Sequence, residues 1–479
     1  PYTRAALNAA LEHRRDIRVL NAWNGYPADN LLYQMREDGE NTRYLFIADT
    51  NRYGNDLNAR VQIRGVWQLE LLDTATGKIA PLASKSADGW TELDIDFHAH
   101  GHLLLRLTKN ALKNAAAAGT TGVAEGEQNK EKIAMGSRES LKDVDETFEG
   151  WIKARVAGRE VAVTLDEPNV YLLDIAEWRV NGGAWQKREE ILRLDGYARK
   201  ALGVPAKTSV QPWAAHYSDK VYGTLDIKYT VEVRTAAKNV VLALEQPKQS
   251  KVTLDGREIA FADLGFWTDK CLRKMKLGDL AAGTHELIIS REYTERTDVE
   301  RAYLLGDFGV SVHGDESVIT APVRSLHWGD IAYQGLPFYG GNITYHAEFS
   351  LDEDVAGASL HFPKRLQGAV FNSYMRAREL EFCAFRGTLV SVTLDGKEAG
   401  DIAFSPFTLK LGDLKAGTHK LDLTLYGNRQ NAFGANHLSN RIDWTGPNAW
   451  RTANDEFSYD YLLSPLGIMR SPFIAIWHE

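Results

Sequence analysis

Val252-Thr253-Leu254-Asp255-Gly256-Arg257-Glu258 returns further along the chain as Val392-Thr393-Leu394-Asp395-Gly396-Lys397-Glu398. Lys276-Leu277-Gly278-Asp279-Leu280 with Ala282-Gly283-Thr284-His285 returns in the same order as Lys410 to Leu414 with Ala416 to His419. The spacing, roughly 134 to 140 residues, far exceeds the ~20 to 50 residues of a solenoid or propeller unit and matches a domain. One domain type therefore occurs twice. Asp-Gly between two short apolar runs is the signature of a tight hairpin, and Ala-Gly-Thr-His turns the chain into a closing strand, Glu286 to Ser290 or Lys420 to Tyr426.

Working outward, the same grammar continues upstream. Tyr44 to Ala48, Val61 to Ile63, Val66 to Leu72, Leu93 to Phe97 and His102 to Leu107 are apolar runs of strand length, split by turn residues at 51 to 55, 75 to 77 and 87 to 89. Strands resume at Val161 to Thr164 and Val170 to Ile175, and Arg179 to Trp185, centred on Asn181-Gly182-Gly183, reads as a hairpin. No helices alternate with these strands, which excludes a parallel α/β sheet. The exceptions are Ala5 to Arg15, read as a short helix, and Lys109 to Asp145, an Ala-rich and charged surface excursion. The expectation is an all-β chain of tandem antiparallel sandwiches. Its divisions are a helical remnant at 1–19, a sandwich at 20–195, a first jelly-roll repeat at 196–320 and a second at 321–479.

Composition narrows the chemistry. Of 479 residues, 44% are apolar and 25% charged, enough to bury several cores. No apolar run reaches the ~18 residues of a membrane span. The net charge of -8 argues against nucleic acid as a partner and for a neutral ligand. Two cysteines, Cys271 and Cys383, are too few for a disulfide framework or a thiolate metal site. Twelve tryptophans serve sugar stacking or sandwich cores equally well. Phosphate-binding glycine loops, GxSxG and HExxH are all missing from the sequence. His98, His100 and His102 have the spacing of a metal site on one strand face, but Gly101 inside the run favours a strand junction, so no metal or cofactor is expected.

Two kinds of residue are candidates for function. Glycoside hydrolysis needs two carboxyl groups roughly 5 to 10 Å apart, one to protonate the leaving oxygen and one as nucleophile or base. Asp94 and Asp96 alternate with apolar residues and belong to the wet face of a strand. Glu300 and Asp307, which flank Ala302 to Gly306, and Asp174 are the remaining candidates. A neutral sugar is bound by aromatic faces and by amides that pair with hydroxyls. Two loops combine these groups: Gly265 to Asp269, carrying Trp267 and Asp269, and Asn428 to Trp450, carrying Asn431, Asn436, His437, Trp444 and Trp450.

Several segments also resemble known wording. Tyr44 to Asn51 followed by Trp67 to Asp73, Asn169 to Asp174, Tyr303 to Val310, Gly335 to Gly341, Asn431 to His437 and Trp444 to Pro447 are similar, in order, to the part that follows the catalytic barrel in large bacterial glycoside hydrolases of the family 2 and family 106 rhamnosidase groups. The resemblance covers about residues 20 to 479. It implies galactose-binding-like jelly rolls, a poly- or oligosaccharide substrate, and an upstream (α/β)8 barrel holding the catalytic carboxylates. No segment here reads as that barrel, so those carboxylates have no counterpart positions. The sequence thus reads as a non-catalytic accessory portion of a glycoside hydrolase. A free-standing carbohydrate-binding or assembly protein, and a complete glycosidase whose acid and base lie among Asp174, Glu300 and Asp307, are the alternatives.

Overall fold

A computed structural model describes residues 14–22, 28, 31–50, 57–74, 77–97, 101–109, 152–158, 160–205, 217–362, 385–404, 407–439 and 456–476. The expected helix at Ala5 to Arg15 and the excursion beyond Lys109 fall almost wholly outside these residues. The chain is all-β, its strands pairing antiparallel except where Gly223–Val233 runs parallel to Glu316–Thr320, and it divides into two compact units, residues 1–140 with 404–407 and residues 141–403 with 408–479.

The first unit is a two-sheet sandwich. One sheet orders Ile17–Asn21, Leu57–Arg64, Trp90–Phe97 and Lys85–Ala87; the other orders Leu31–Asp38, Thr42–Asp49, His102–Thr108, Gln68–Leu72 and Ile79–Leu82. Alternation decides which side chains enter the core: Val61 and Ile63 from one sheet, and Leu45, Ile47, Leu105 and Leu107 from the other, are fully buried. Asp94 and Asp96 stay on the outer face, where Arg60 and Asn58 of the neighbouring strand hold them.

In the second unit both Asp-Gly hairpins form as expected. Asp255 and Gly256 have φ of 50° and 76°, and Asp395 and Gly396 have 50° and 77°, the left-handed pair that a two-residue hairpin matched to strand twist requires. The repeated histidine has a reason as well. His285 Nδ1 meets Asp255 Oδ2 at 2.7 Å and its Nε2 meets the Ala281 carbonyl, while His419 repeats both contacts with Asp395 and Lys415. Each Asp-Gly hairpin is thereby tied to the Ala-Gly-Thr-His turn, so the two halves of the repeated motif are one device.

The sheets of the first repeat are completed by strands well upstream of 196. Asn169–Leu173 pairs with Ala302–Gly306, and Ile175–Val180 pairs with Gly223–Val233. The sheets of the second repeat reach further back still. Glu160–Leu165 pairs with Ile343–Leu351, and Ile152–Arg155 pairs with Phe473–Ile476. Strands that the sequence division assigned to the 20–195 sandwich thus lie in both repeats, and the first repeat is inserted between two parts of the second. The pairing is non-local and leaves no trace in local composition.

Between the strands of the first repeat runs a helix, α1 (Ile191–Leu202), that the strand reading passed over. Glu190 caps its start by accepting from the Leu192 and Arg193 N–H groups, Gly203 in the left-handed region closes it, and Ile191, Leu194 and Ala198 face the core. Among the described residues no helix is long and apolar enough to cross a membrane.

Candidate functional site

Strand register gathers a set of buried charges at one end of the first repeat. Leu173 pairs with Ala302 and Ile175 with Glu190, so Asp174, Arg301 and Glu190 converge where three strands end. Asp174 is 0% exposed, Glu190 1% and Arg301 6%. The C-terminal segment adds His437, 4% exposed, and Tyr461. Tyr461 donates its hydroxyl to Asp174 Oδ1 at 2.5 Å, His437 Nε2 lies 3.2 Å from Asp174 Oδ2, and Arg301 Nε is 3.9 Å from the same oxygen. Arg301 also donates to the Gly434 carbonyl at 2.7 Å.

The protonation states follow from the partners. His437 Nδ1 faces the Ser458 carbonyl at 2.8 Å, and carbonyls only accept. With an acceptor at each nitrogen, His437 is an imidazolium. Burial opposes that charge, but the hydrogen bond and attraction of Asp174 prevail and raise its pKa. Burial likewise opposes the Asp174 carboxylate, and the His437 hydrogen bond, the charges of His437 and Arg301, and the Tyr461 hydroxyl outweigh it and hold the pKa below the ordinary value. Glu190 is the opposite case. Burial, assisted by the Asp174 charge and opposed by Arg301, pushes its carboxyl up to about 7. Its Oε2 takes the helix N–H groups, and its Oε1 is buried with no hydrogen-bond partner. Next to it, Glu189 accepts from Arg193 and from Tyr459 of the C-terminal segment.

Asp307 lies apart from this cluster. Asn169 pairs with Gly306 at the far end of the strand pair, so Asp307 stands roughly 15–20 Å from Asp174 at ~3.3 Å per residue. That exceeds the ~5 to 10 Å over which two carboxyl groups cooperate in glycoside hydrolysis. Asp307 is exposed and receives two hydrogen bonds from the Arg324 guanidinium, which holds its carboxyl below the usual range. Glu300 is half-buried.

Of the tail residues that read as sugar-binding, Asn431, Asn436 and His437 are buried and bonded within the chain. Asn431 exchanges two 2.8 Å hydrogen bonds with the backbone of Ser464, and Asn436 donates to the Asn431 carbonyl. Both are buried. Trp444 and Trp450 lie outside the described residues. Trp267 is 5% exposed, with Tyr303 and Phe433 against its ring at 4.8 and 5.3 Å, while Asp269 is exposed and accepts from the Cys271 N–H. The neighbours Phe266 and Leu264, 46% and 50% exposed, are the apolar side chains this loop offers to solvent. Cys271 is exposed and donates to Glu245, and Cys383 and two of the three clustered histidines, His98 and His100, lie outside the described residues.

Beside that loop the first repeat is cleft. Strand Ala237–Glu245 ends at Gln246, whose φ of 52° is unusual for a residue with a side chain, and the turn Pro247–Gln249 then carries the chain into Ser250–Leu254 of the opposite sheet. A cleft of 460 Å³ lies on one side of this crossover, lined by Glu245, Phe261, Asp263, Lys270 and Arg273. Another of 610 Å³ lies on the other, lined by Asp219, Lys251, Arg291, Glu292 and Arg296. Gln246, Lys248 and Gln249 line both. Each volume is of small-ligand size; both linings mix amides and charges, and the 610 Å³ cleft adds the hydroxyls of Ser250, Thr294 and Thr297. Sequence reasoning missed this crossover because its polar residues carry no motif. The one local signal was the Gln-Pro-Lys-Gln turn at 246–249.

No family model matches the chain, and no curated protein matches it. Among solved structures it is similar to a rhamnosidase from Novosphingobium sp. PP1Y, at 12% identity and a TM-score of 0.37, over 98% of this chain and 26% of that one. A β-D-mannosidase from Dictyoglomus thermophilum matches at 13% identity and a TM-score of 0.20, over 54% of this chain and 31% of that one. A GH2 β-galacturonidase from Eisenbergiella tayi, bound to galacturonate, matches at 8% identity and a TM-score of 0.20, over 55% and 37%. These neighbours are glycoside hydrolases, and the chain spans between 26% and 37% of their length.

Proposed function

We propose that this chain is a C-terminal accessory portion of a glycoside hydrolase acting on O-glycosidic bonds of poly- or oligosaccharides, contacting the saccharide while catalytic carboxylates reside on an upstream barrel. The observation that carries the reading is the crossover at Gln246, which opens two clefts of ligand size that share the amides of Gln246 and Gln249, one of them also lined by the hydroxyls of Ser250, Thr294 and Thr297. The state of the candidate carboxylates supports a non-catalytic role: Asp174 is sealed and neutralised, and Asp307 is occupied by Arg324. The Trp267 loop contributes its exposed face, with Phe266 and Asp269 beside the cleft, and the tail residues Trp444 and Trp450 are proposed as contacts of the second repeat.

Calorimetric titration of the chain with a panel of oligosaccharides tests this, alongside hydrolysis assays on aryl glycosides. Binding without turnover, weakened several-fold by Gln249→Ala or Phe266→Ala, is the expected result. Turnover by this chain, lost on Glu300→Gln, would replace the accessory reading with a catalytic one.

A further inference from the structure

Composition favours a neutral ligand, but charge is not spread evenly. The chain carries a net -8, yet the 610 Å³ cleft is lined by four cations, Lys248, Lys251, Arg291 and Arg296, against two carboxylates, Asp219 and Glu292. Arg296 and Asp219 neutralise each other at 2.6 Å. Lys251 reaches Glu258 at 2.9 Å, a pair more than half exposed on both sides and so largely screened.

Arg291 is the unusual member. Its Nε is shielded from water and has no hydrogen-bond partner, its Nη1 donates to the Asp298 carbonyl at 3.3 Å, and the Glu245 and Asp298 carboxylates lie near enough to attract its charge. A guanidinium has five donors in a fork that fits a carboxylate, and one of those of Arg291, the buried Nε, goes unmet beside the cleft. Above it, Lys248 is exposed and projects from the strained crossover at Gln246, and Gln249, Ser250 and Thr294 supply amide and hydroxyl groups.

Resting on the carbohydrate-contacting reading above, we propose that this cleft takes an acidic saccharide, a carboxylate-bearing sugar whose anion meets Arg291 and Lys248 while its hydroxyls meet Gln249, Ser250 and Thr294. The local excess of cations in this cleft, in a chain of net charge -8, favours an acid over a neutral sugar. Hydroxyl partners beside the guanidinium select sugar from a simple anion.

The test compares, by calorimetry on the whole chain, trigalacturonate, its methyl ester, a sulfated oligosaccharide and a single-stranded oligonucleotide. The acid should bind, the ester at least about tenfold more weakly, and rising salt should narrow the difference. Arg291→Gln should remove the preference. Because that residue is largely buried, the exposed pair Lys248→Gln and Lys251→Gln gives a second variant, expected to lower acid affinity and leave ester affinity unchanged. Equal binding of acid and ester overturns the charge assignment and leaves the accessory reading standing. Absence of binding by every saccharide overturns both. Sulfated sugar bound in preference to the carboxylate overturns the ligand class, and oligonucleotide bound as tightly as the acid reduces the cleft to an unspecific anion sink.

Discussion

Asp174 and His437, far apart in the sequence, stand 3.2 Å apart in a site that water does not reach. The contact joins the first repeat to the C-terminal segment, and Arg301 and Tyr461 reinforce it from either side. A buried ion pair adds little over an apolar packing of the same volume, but breaking one leaves a bare charge in a medium that cannot solvate it. Its weight lies in specifying where the tail docks.

Asp174→Asn should therefore lower the free energy of unfolding by about 3–5 kcal/mol, because two buried cations, His437 and Arg301, lose their counter-charge. Denaturant titration followed by tryptophan fluorescence measures this. A change below about 1 kcal/mol would mean that the cluster is solvated in solution.

Glu190 gives a pH dependence with a definite sign. Its carboxyl is raised from 4.5 to about 7 in the folded protein, so the folded state binds the extra proton. Stability from this group is complete below pH ~4.5 and is lost as pH rises through ~7, a contribution on the order of 3 kcal/mol. Glu190→Gln should remove that slope. His437, also raised, contributes with the same sign above its ordinary value, whereas Asp174, lowered, loses its contribution as pH falls. The double comparison of Glu190→Gln and His437→Gln melts across pH 4 to 9 separates the two rising-pH losses.

The hairpin glycines isolate a backbone effect. A Cβ at Gly256 or Gly396 would meet nothing within 4 Å, so only the left-handed φ penalises alanine. Gly256→Ala and Gly396→Ala should each cost about 1–2 kcal/mol and leave saccharide binding intact. Thermal unfolding of both variants checks that the two repeats respond alike.

Trp267 separates packing from recognition. Buried against Tyr303 and Phe433, it should cost about 3–5 kcal/mol as Trp267→Ala, while the exposed neighbour Phe266→Ala should leave stability within about 0.5 kcal/mol and weaken binding. Unfolding and titration of both proteins decide it. Affinity unchanged in Phe266→Ala would remove the loop from the binding surface.

How much of this was readable in advance differs from element to element. The Asp255-Gly256 and Asp395-Gly396 hairpins were legible because turn conformation is set by the two residues that occupy it. Helix α1 was also signalled, by the Glu190 cap and Gly203 at its end, but the segment follows the Arg179 to Trp185 hairpin and carries no element of its own in the sequence reading. The tail was misleading for a physical reason. Asn431, Asn436 and His437 look like exposed loop chemistry because polar residues normally face water, and the partners that let them be buried, Ser464 and Asp174, are named by no local pattern. Which strands complete each repeat was illegible for the same reason: sheet pairing depends on register between distant segments.

That pairing governs the order in which the chain assembles during synthesis. The first repeat has its main strands once Ala302–Gly306 is made, and it is free to close early. The second waits: Ile152–Arg155 lacks its neighbour until Phe473–Ile476 emerges, and a bond such as Ser471 Oγ to the Val156 carbonyl closes a loop of 315 residues. The early strand thus stays an unpaired edge until Phe473–Ile476 is made, which exposes it to misassembly with a neighbouring nascent chain.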